Sequence, residues 1–427
     1  MRLIDRIFDV EIDLGKVKIT VFDLLFALIL SAMGLMFRFY LFDVKSGDYV
    51  TAFADWMKEC HQAGGFAYLG IKPGVSDAST FDYNCMFQYL IVLLHYIGGG
   101  GAVNDMYLVK MMSVVFDYIC AFTVMRITYL ATGQNVRKAF FAYAAVMFLP
   151  TVVLNSAAWA QNDSIYTAFI LLSLLHFMKG NDLRAFIYLA VSYSFKQQAL
   201  FFFPFVIIMW FKNKIKIRYA LSIPIFYVVS MIPSAIAGRE WADLLGIYGN
   251  QVSMFSRLSM NYPSIYTIIA SDLDKSIRKM IIPAGTVCTA MIFGVLAYYI
   301  YRKNFEITYK YMITLVIFTA ELCCFCLPVM HERYGYIPEL LAVVYALFSY
   351  KRMPICALLQ VISMITYSRF LFGSTVTYLW PLSVTMLAII LVIGYDLYKQ
   401  MADGALVAQE IEAGQDKENP DEPDDES

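Results

Sequence analysis

Ten apolar stretches recur along the chain, at residues 20–42, 106–130, 139–157, 164–179, 219–237, 279–301, 308–327, 334–350, 354–369 and 375–397. Most approach the ~20 residues that a helix needs to cross a bilayer core. Lipid offers no partner for a backbone N–H or C=O, so such stretches are restricted to helices that satisfy their own hydrogen bonds. A content of 60% hydrophobic and 16% charged residues excludes an ordinary soluble domain and fits an all-α polytopic membrane protein.

The stretch 185–211 is apolar too, but basic residues flank both of its ends. Lys179 and Arg184 precede it; Lys212, Lys214, Lys216 and Arg218 follow it. Short basic loops stay on the cytoplasmic side, so two crossings are expected here, a short helix to about Phe195 and another from about Gln198, meeting at Lys196. Residues 85–97 are apolar over only thirteen positions, which suits a re-entrant or interfacial helix. About twelve transmembrane helices then follow, with both termini inside and twenty of the 33 lysines and arginines on inner segments. Residues 43–105 form a long first outer loop.

Residues 1–19 read as an inner-surface amphipathic segment: Leu3, Ile4, Ile7 and Phe8 recur at helical spacing, then Val10, Ile12 and Leu14 alternate before a Gly15–Lys16 turn. Residues 20–400 carry the membrane domain. From 401 to 427 ten acids face the single Lys417, an expected disordered cytoplasmic tail. No cleavable signal peptide is visible. Six of the eight cysteines lie in apolar spans without metal-ligand spacing and read as packing residues. Cys60 and Cys85 share the long outer loop, where an oxidising compartment permits a disulfide. Gly98–Gly101 reads as a flexible connector, since no GK[ST] follows to make a phosphate loop.

Oriented in this way, the polar clusters of the chain converge on the outer face. They are SGDY at Ser46–Tyr49, FDYN at Phe81–Asn84, WAQNDS at Trp159–Ser164, FKQQ at Phe195–Gln198, NYPS at Asn261–Ser264 and HERY at His331–Tyr334. Asp55 follows Asp48 by seven residues, on the same helical face, with Trp56 beside it. SGDY with its later Trp, FDYN before a short helix, AAWAQNDSIY, SFKQQALFFFPF and MHERYGYIPE occur in the same order as the motifs of the GT-C glycosyltransferases. The chain resembles the members of that superfamily that use polyprenyl-phosphate sugars, mannosyl- and glucosyltransferase-like. It departs from the pattern after FDYN, where prolines are missing, and at Gly335, where a bulkier residue is usual.

The resemblance implies GT-C architecture, a polyprenyl-phosphate sugar as donor, and a glycan, lipid or protein acceptor outside the cell membrane, or in the lumen of the endoplasmic reticulum in a eukaryote. The chemistry can be stated independently. A sugar on a polyprenyl phosphate already has a good leaving group, so an enzyme must deprotonate the acceptor hydroxyl and steady the departing phosphate. Asp48 is the candidate general base. Lys196, His331 and Arg333 are candidates for the phosphate, Arg333 by chelating two oxygens and Lys196 as a point charge. Tyr83, Trp159, Gln161 and Asp163 offer flat apolar surface, amide and carboxylate to sugar or acceptor hydroxyls. Asp82 has three roles open to it: orienting the acceptor, joining Asp48 at a metal, or capping the helix after it together with Asn84.

Structural alternatives stand beside each role. His331 suits a helix cap, Arg333 a snorkelling residue, Trp159 an interfacial anchor, and Glu332 a partner for Arg333 or Lys196. Asn261 and Tyr262 are weaker candidates for the site. Arg38 and Asp117 are charges within spans, and Asp117 reads as a structural residue of the bundle interior. No cofactor, resident metal or nucleic-acid partner is expected, and membrane lipid is the surroundings. Two rivals remain to an inverting hexosyltransferase: a flippase or transporter of lipid-linked sugars, for which the expected inverted repeats are missing, and a non-catalytic protein of polysaccharide assembly, which leaves the one-sided Asp, Lys, His and Arg set without a use.

Overall fold

The computed structural model describes residues 11–13, 18–72, 83–253, 257–269 and 273–418. The chain is a multi-pass membrane protein built from helices. Among the described residues seven helices are long and apolar enough to cross a membrane, or eight if one bent pair counts as a single span. The helices in chain order are α1 (Val21–Tyr40), α2 (Ala54–Ala63), α3 (Cys85–Ile97), α4 (Asp105–Ala131), α5 (Val136–Phe148) and α6 (Pro150–Ala158). They continue with α7 (Asp163–Met178), α8 (Asp182–Phe195), α9 (Gln197–Phe211), α10 (Ile217–Ile236), α11 (Trp241–Ser253) and α12 (Ile265–Ile269). The last five are α13 (Lys275–Arg302), α14 (Tyr309–Cys326), α15 (Tyr336–Ala346), α16 (Tyr350–Leu371) and α17 (Leu379–Glu418).

Helices therefore occupy the stretches read as spans, with informative differences at their ends. The stretch 139–157 is two helices meeting at 46°, because Pro150 at the first position of α6 cannot donate back to the preceding turn. The stretch 185–211 is interrupted at Lys196, whose backbone is extended at φ −153° and ψ 135°. Helix α17 runs on to Glu418, beyond the expected boundary at 400, through the strong helix formers Ala405, Leu406, Ala408 and Gln409. Near the amino terminus β1 (Glu11–Asp13) pairs antiparallel with β2 (Lys18–Thr20), as the alternation and the glycine turn suggest. Residues 1–10, which hold the rest of the amphipathic reading, and residues 419–427 of the acidic tail lie outside the described residues.

Burial separates an interior from a lipid-facing surface. Tyr166, Leu171, Leu174, Leu189 and Ile317 are fully buried in one continuous core, whereas Leu28, Ile29, Met291, Val295 and Leu391 are exposed. An apolar exterior of this kind is what lipid contact permits. Aromatic residues with polar tips, Tyr40, Tyr96, Tyr301, Tyr309, Tyr350 and Tyr378, stand exposed at or beside helix ends. Such rings favour the interface between hydrocarbon and water.

The two intramembrane charges singled out in the sequence meet. Arg38 Nε lies 2.9 Å from Asp117 Oδ2, and both are fully buried. Ser156 donates to the same carboxylate oxygen at 2.6 Å, and Arg38 Nη1 donates to the carbonyls of Gly34 and Met147. This cluster clamps α1, α4, α5 and α6 together. One turn from the start of α4, Lys110 is also buried and donates to the carbonyls of Leu41, Phe42 and Val44 at 3.2, 2.8 and 2.7 Å. It thereby gathers the carbonyls of the chain just past α1 and fixes the segment that leads into Ser46–Asp48.

Short helices build the described residues of the long loop after α1, 43–72 and 83–104. Asn84 caps α3 by accepting from the Cys85 N–H. His61 of α2 bridges His95 of α3, with 2.7 Å between the Nδ1 atoms, and the Asp105 carboxylate at the start of α4, 2.9 Å from its Nε2. Gly99, Gly100 and Gly101 all take positive φ, so the glycine run is a left-handed connector that other residues adopt only with strain. Cys60 and Cys85 are buried free thiols; no disulfide joins them, and their packing needs none.

Candidate active site

Asp48 opens a short helical turn, Tyr49–Phe53, that continues into α2. Ser46 holds it in place: the hydroxyl donates to the Trp159 carbonyl at 2.5 Å and accepts the Tyr49 N–H at 3.1 Å. The Trp159 indole then donates to Asp48 Oδ2 at 2.9 Å, and the Gln161 amide donates to the same oxygen. One carboxylate oxygen is thus fixed by two donors.

Trp159 and Gln161 come from the sharp turn between α6 and α7, in which Ala160 takes a left-handed φ of 64°. The turn is rigid because its tryptophan is fully buried, stacked on Phe370 at 4.6 Å and edge-on to Tyr367 at 5.1 Å. Asp163, the first residue of α7, is also fully buried. Its carboxylate accepts from Lys196 Nζ at 2.5 Å and from Asn155 Nδ2 at 2.8 Å, and Arg333 Nε stands 3.4 Å away. Lys196 further donates to Asn162 at 2.9 Å and lies 5.7 Å from the ring centres of Tyr83 and Tyr166.

The HERY segment reaches the site by pairing. β4 (Met330–His331) runs parallel to β3 (Ser259–Met260), and Asn261 bridges His331. Beyond it, α15 starts at once, and a side chain at Gly335 would have its Cβ 2.9 Å from the Glu339 carboxylate and 3.3 Å from the Tyr262 hydroxyl. Glycine at this position is therefore a packing requirement. Tyr262 donates to the buried Glu321 at 2.7 Å, which makes it a support beneath the segment.

These pieces enclose a cavity of about 240 Å³. Asp48, Gln161, Asn261, His331, Glu332 and Arg333 supply its polar wall; Phe53, Trp56, Tyr83 and Phe370 supply its aromatic wall. The Arg333 guanidinium also lies 5.6 Å from the Trp159 ring. Burial, with Arg333 and Lys196 nearby, pushes the His331 imidazole well below its ordinary range, so it is a neutral hydrogen-bonding group at neutral pH. Burial pushes the Glu332 carboxyl up to about 7, against the opposing pull of Arg333, whose Nη1 is 3.7 Å from Glu332 Oε1.

Of the residues singled out in the sequence, Asp48, Tyr83, Gln161, His331 and Arg333 meet in the cavity. Lys196, Trp159 and Asp163 lie directly behind its lining. Trp159 and Asp163 differ from the hydroxyl contacts expected of them, since the first is spent on Asp48 and the second on two cations. Asp82 lies outside the described residues. Phe53 of the outer loop and Phe370 near the end of α16 complete the wall; nothing distinguishes them in sequence from other aromatics of the chain. Among the described residues no group of three His, Cys, Asp or Glu side chains converges as metal ligands do. No protein-family model matches the chain, and no curated protein is detectably similar to it.

Proposed function

We propose that this protein is an inverting membrane glycosyltransferase that moves a hexose from a polyprenyl-phosphate donor to an extracytoplasmic acceptor hydroxyl. The observation that carries this reading is the pairing, across one cavity, of a carboxylate held on a single oxygen with an arginine anchored from behind. Asp48 keeps Oδ1 outside the pair of hydrogen bonds that fix Oδ2, so it can take a proton without losing its position. Arg333 lines the same cavity, and its guanidinium forms an ion pair with the buried Asp163, with Nε 3.4 Å from the carboxylate.

In the proposed reaction the acceptor hydroxyl gives its proton to Asp48 and attacks the anomeric carbon from the face opposite the phosphate. The bond to the phosphate oxygen breaks, and the leaving polyprenyl phosphate carries away the electron pair. Arg333 neutralises the growing charge by charge-assisted hydrogen bonds. Trp56, Tyr83 and Phe370 give the sugar ring its apolar walls. Lys196 reinforces the field from behind the lining.

The same reading takes the helices as about twelve crossings in a GT-C arrangement, with α7, α8, α9 and α15 counted among the spans and α3 lying at the interface. Asp48, Lys196 and His331 then sit on the outer side. The direct test is to incubate purified protein with a panel of polyprenyl-phosphate sugars and membrane extract and to follow released polyprenyl phosphate. Release that requires both one donor and an acceptor supports the reading, and hydrolysis or release from none of the panel opposes it.

A further inference from the structure

At the end of the bundle away from the candidate site, a second cavity of about 330 Å³ opens between the start of α8 and one face of α10. Helix α7 begins in the site and spans sixteen residues before the turn into α8, so the Leu183–Arg218 end of the groove lies roughly 20 Å from the site along that axis. Arg218, Ser222, Phe226 and Val229 line the groove on α10, with Leu183 opposite. Their spacing puts them on a single helical stripe. Along that stripe the residues change from the exposed Arg218 guanidinium to Val229, 52% accessible, and Leu183 opposite it is 48% accessible. The distance from Arg218 to Val229, ~16 Å, is about half of a bilayer core.

We propose that this groove binds an anionic phospholipid, with its phosphate against Arg218 and one acyl chain laid along Ser222, Phe226 and Val229. Charge complementarity selects the headgroup. Arg184, next to Leu183, and Lys214 and Lys216, just before α10, are exposed, while Asp182 is buried and accepts from the Lys216 backbone N–H at 2.9 Å. Four cations, Arg184, Lys214, Lys216 and Arg218, against that one acid leave the surroundings of the groove net positive. Arg218 itself is steered over the groove by Tyr219, whose hydroxyl accepts from it at 3.1 Å. Clustered basic residues beside an apolar cleft at a membrane surface are the physical requirement for retaining one such lipid.

Native mass spectrometry of the purified full chain, titrated with phosphatidylglycerol or phosphatidylcholine of identical acyl chains, tests the site. Phosphatidylglycerol should bind the wild type in preference to phosphatidylcholine, and Arg218→Ala should weaken it about fivefold. Ser222→Trp, which fills the groove, should reduce the binding of both lipids, whereas Arg302→Ala, an exposed cation elsewhere, should leave both unchanged. Equal binding of the two lipids by the wild type overturns the proposal. So does an equal effect of Arg218→Ala and Arg302→Ala, which reports diffuse surface charge, or full binding by Ser222→Trp, which leaves the groove without a role.

Discussion

Arg333 and Asp163 form an ion pair at 3.4 Å with Asp163 wholly out of solvent, so a buried carboxylate stands against the guanidinium that lines the cavity. Lysine at this position keeps the charge but cannot keep Nε on Asp163 and still chelate two oxygens. Arg333→Lys should therefore raise the KM for a lipid-phosphate donor by about tenfold or more, the loss of a charge-assisted hydrogen bond. Unchanged donor dependence in the folded variant would return Arg333 to a structural role.

Asp163 also holds Lys196, and removing it leaves two cations facing one another in a buried place. Loss of one partner from a buried ionic cluster costs about 3–5 kcal/mol. Asp163→Asn should lower the melting temperature in detergent, and adding Lys196→Met should recover part of the loss. A double variant no more stable than Asp163→Asn would separate Lys196 from this account.

Glu332 gives the cavity a pH signature. Its carboxyl is raised from an ordinary 4.5 to about 7, chiefly by burial. Between those values the folded chain retains a proton that the unfolded chain has released, so stability is highest below pH ~4.5 and falls as pH rises towards ~7, by about 1.4 kcal/mol per unit of raised pKa. Glu332→Gln removes this dependence. The melting temperature of the wild type should drop relative to the variant between pH 5 and 8; parallel curves would refute it.

Sidedness can be read with single cysteines, in a background where the exposed Cys288 is replaced. Cysteine at exposed Tyr96 should react with an impermeant reagent from outside intact cells, and cysteine at exposed Arg184 only once the cytoplasm is opened. The reverse pattern would invert every assignment made by the basic loops.

Much of this arrangement is legible in the sequence, and the remainder fails for identifiable reasons. The interruption at Lys196 follows from basic flanks and span length, and the clusters that line the cavity are visible as polar islands in apolar surroundings. Pairings between helices are not legible. Arg38 and Asp117 are each conspicuous as charges, yet that they meet depends on how α1 and α4 are rotated. Lys110 passes for an ordinary outer lysine because backbone carbonyls, which leave no mark in a sequence, are its partners. Trp159 and Asp163 carry the chemistry of sugar contacts and use it instead on Asp48, Lys196 and Arg333, since the turn holding them is buried beneath Phe370 and Tyr367.

The assignment of Asp48 as the base is the centre of the account, and Asp48→Asn tests it most directly. An amide keeps the volume and can still accept from Trp159 and Gln161, but it has no basic oxygen for the acceptor proton. With the donor that the panel identifies, turnover of purified Asp48→Asn should fall by about two to four decades while melting temperature and donor affinity stay near those of the wild type. Turnover close to that of the wild type would contradict the mechanism at its first step.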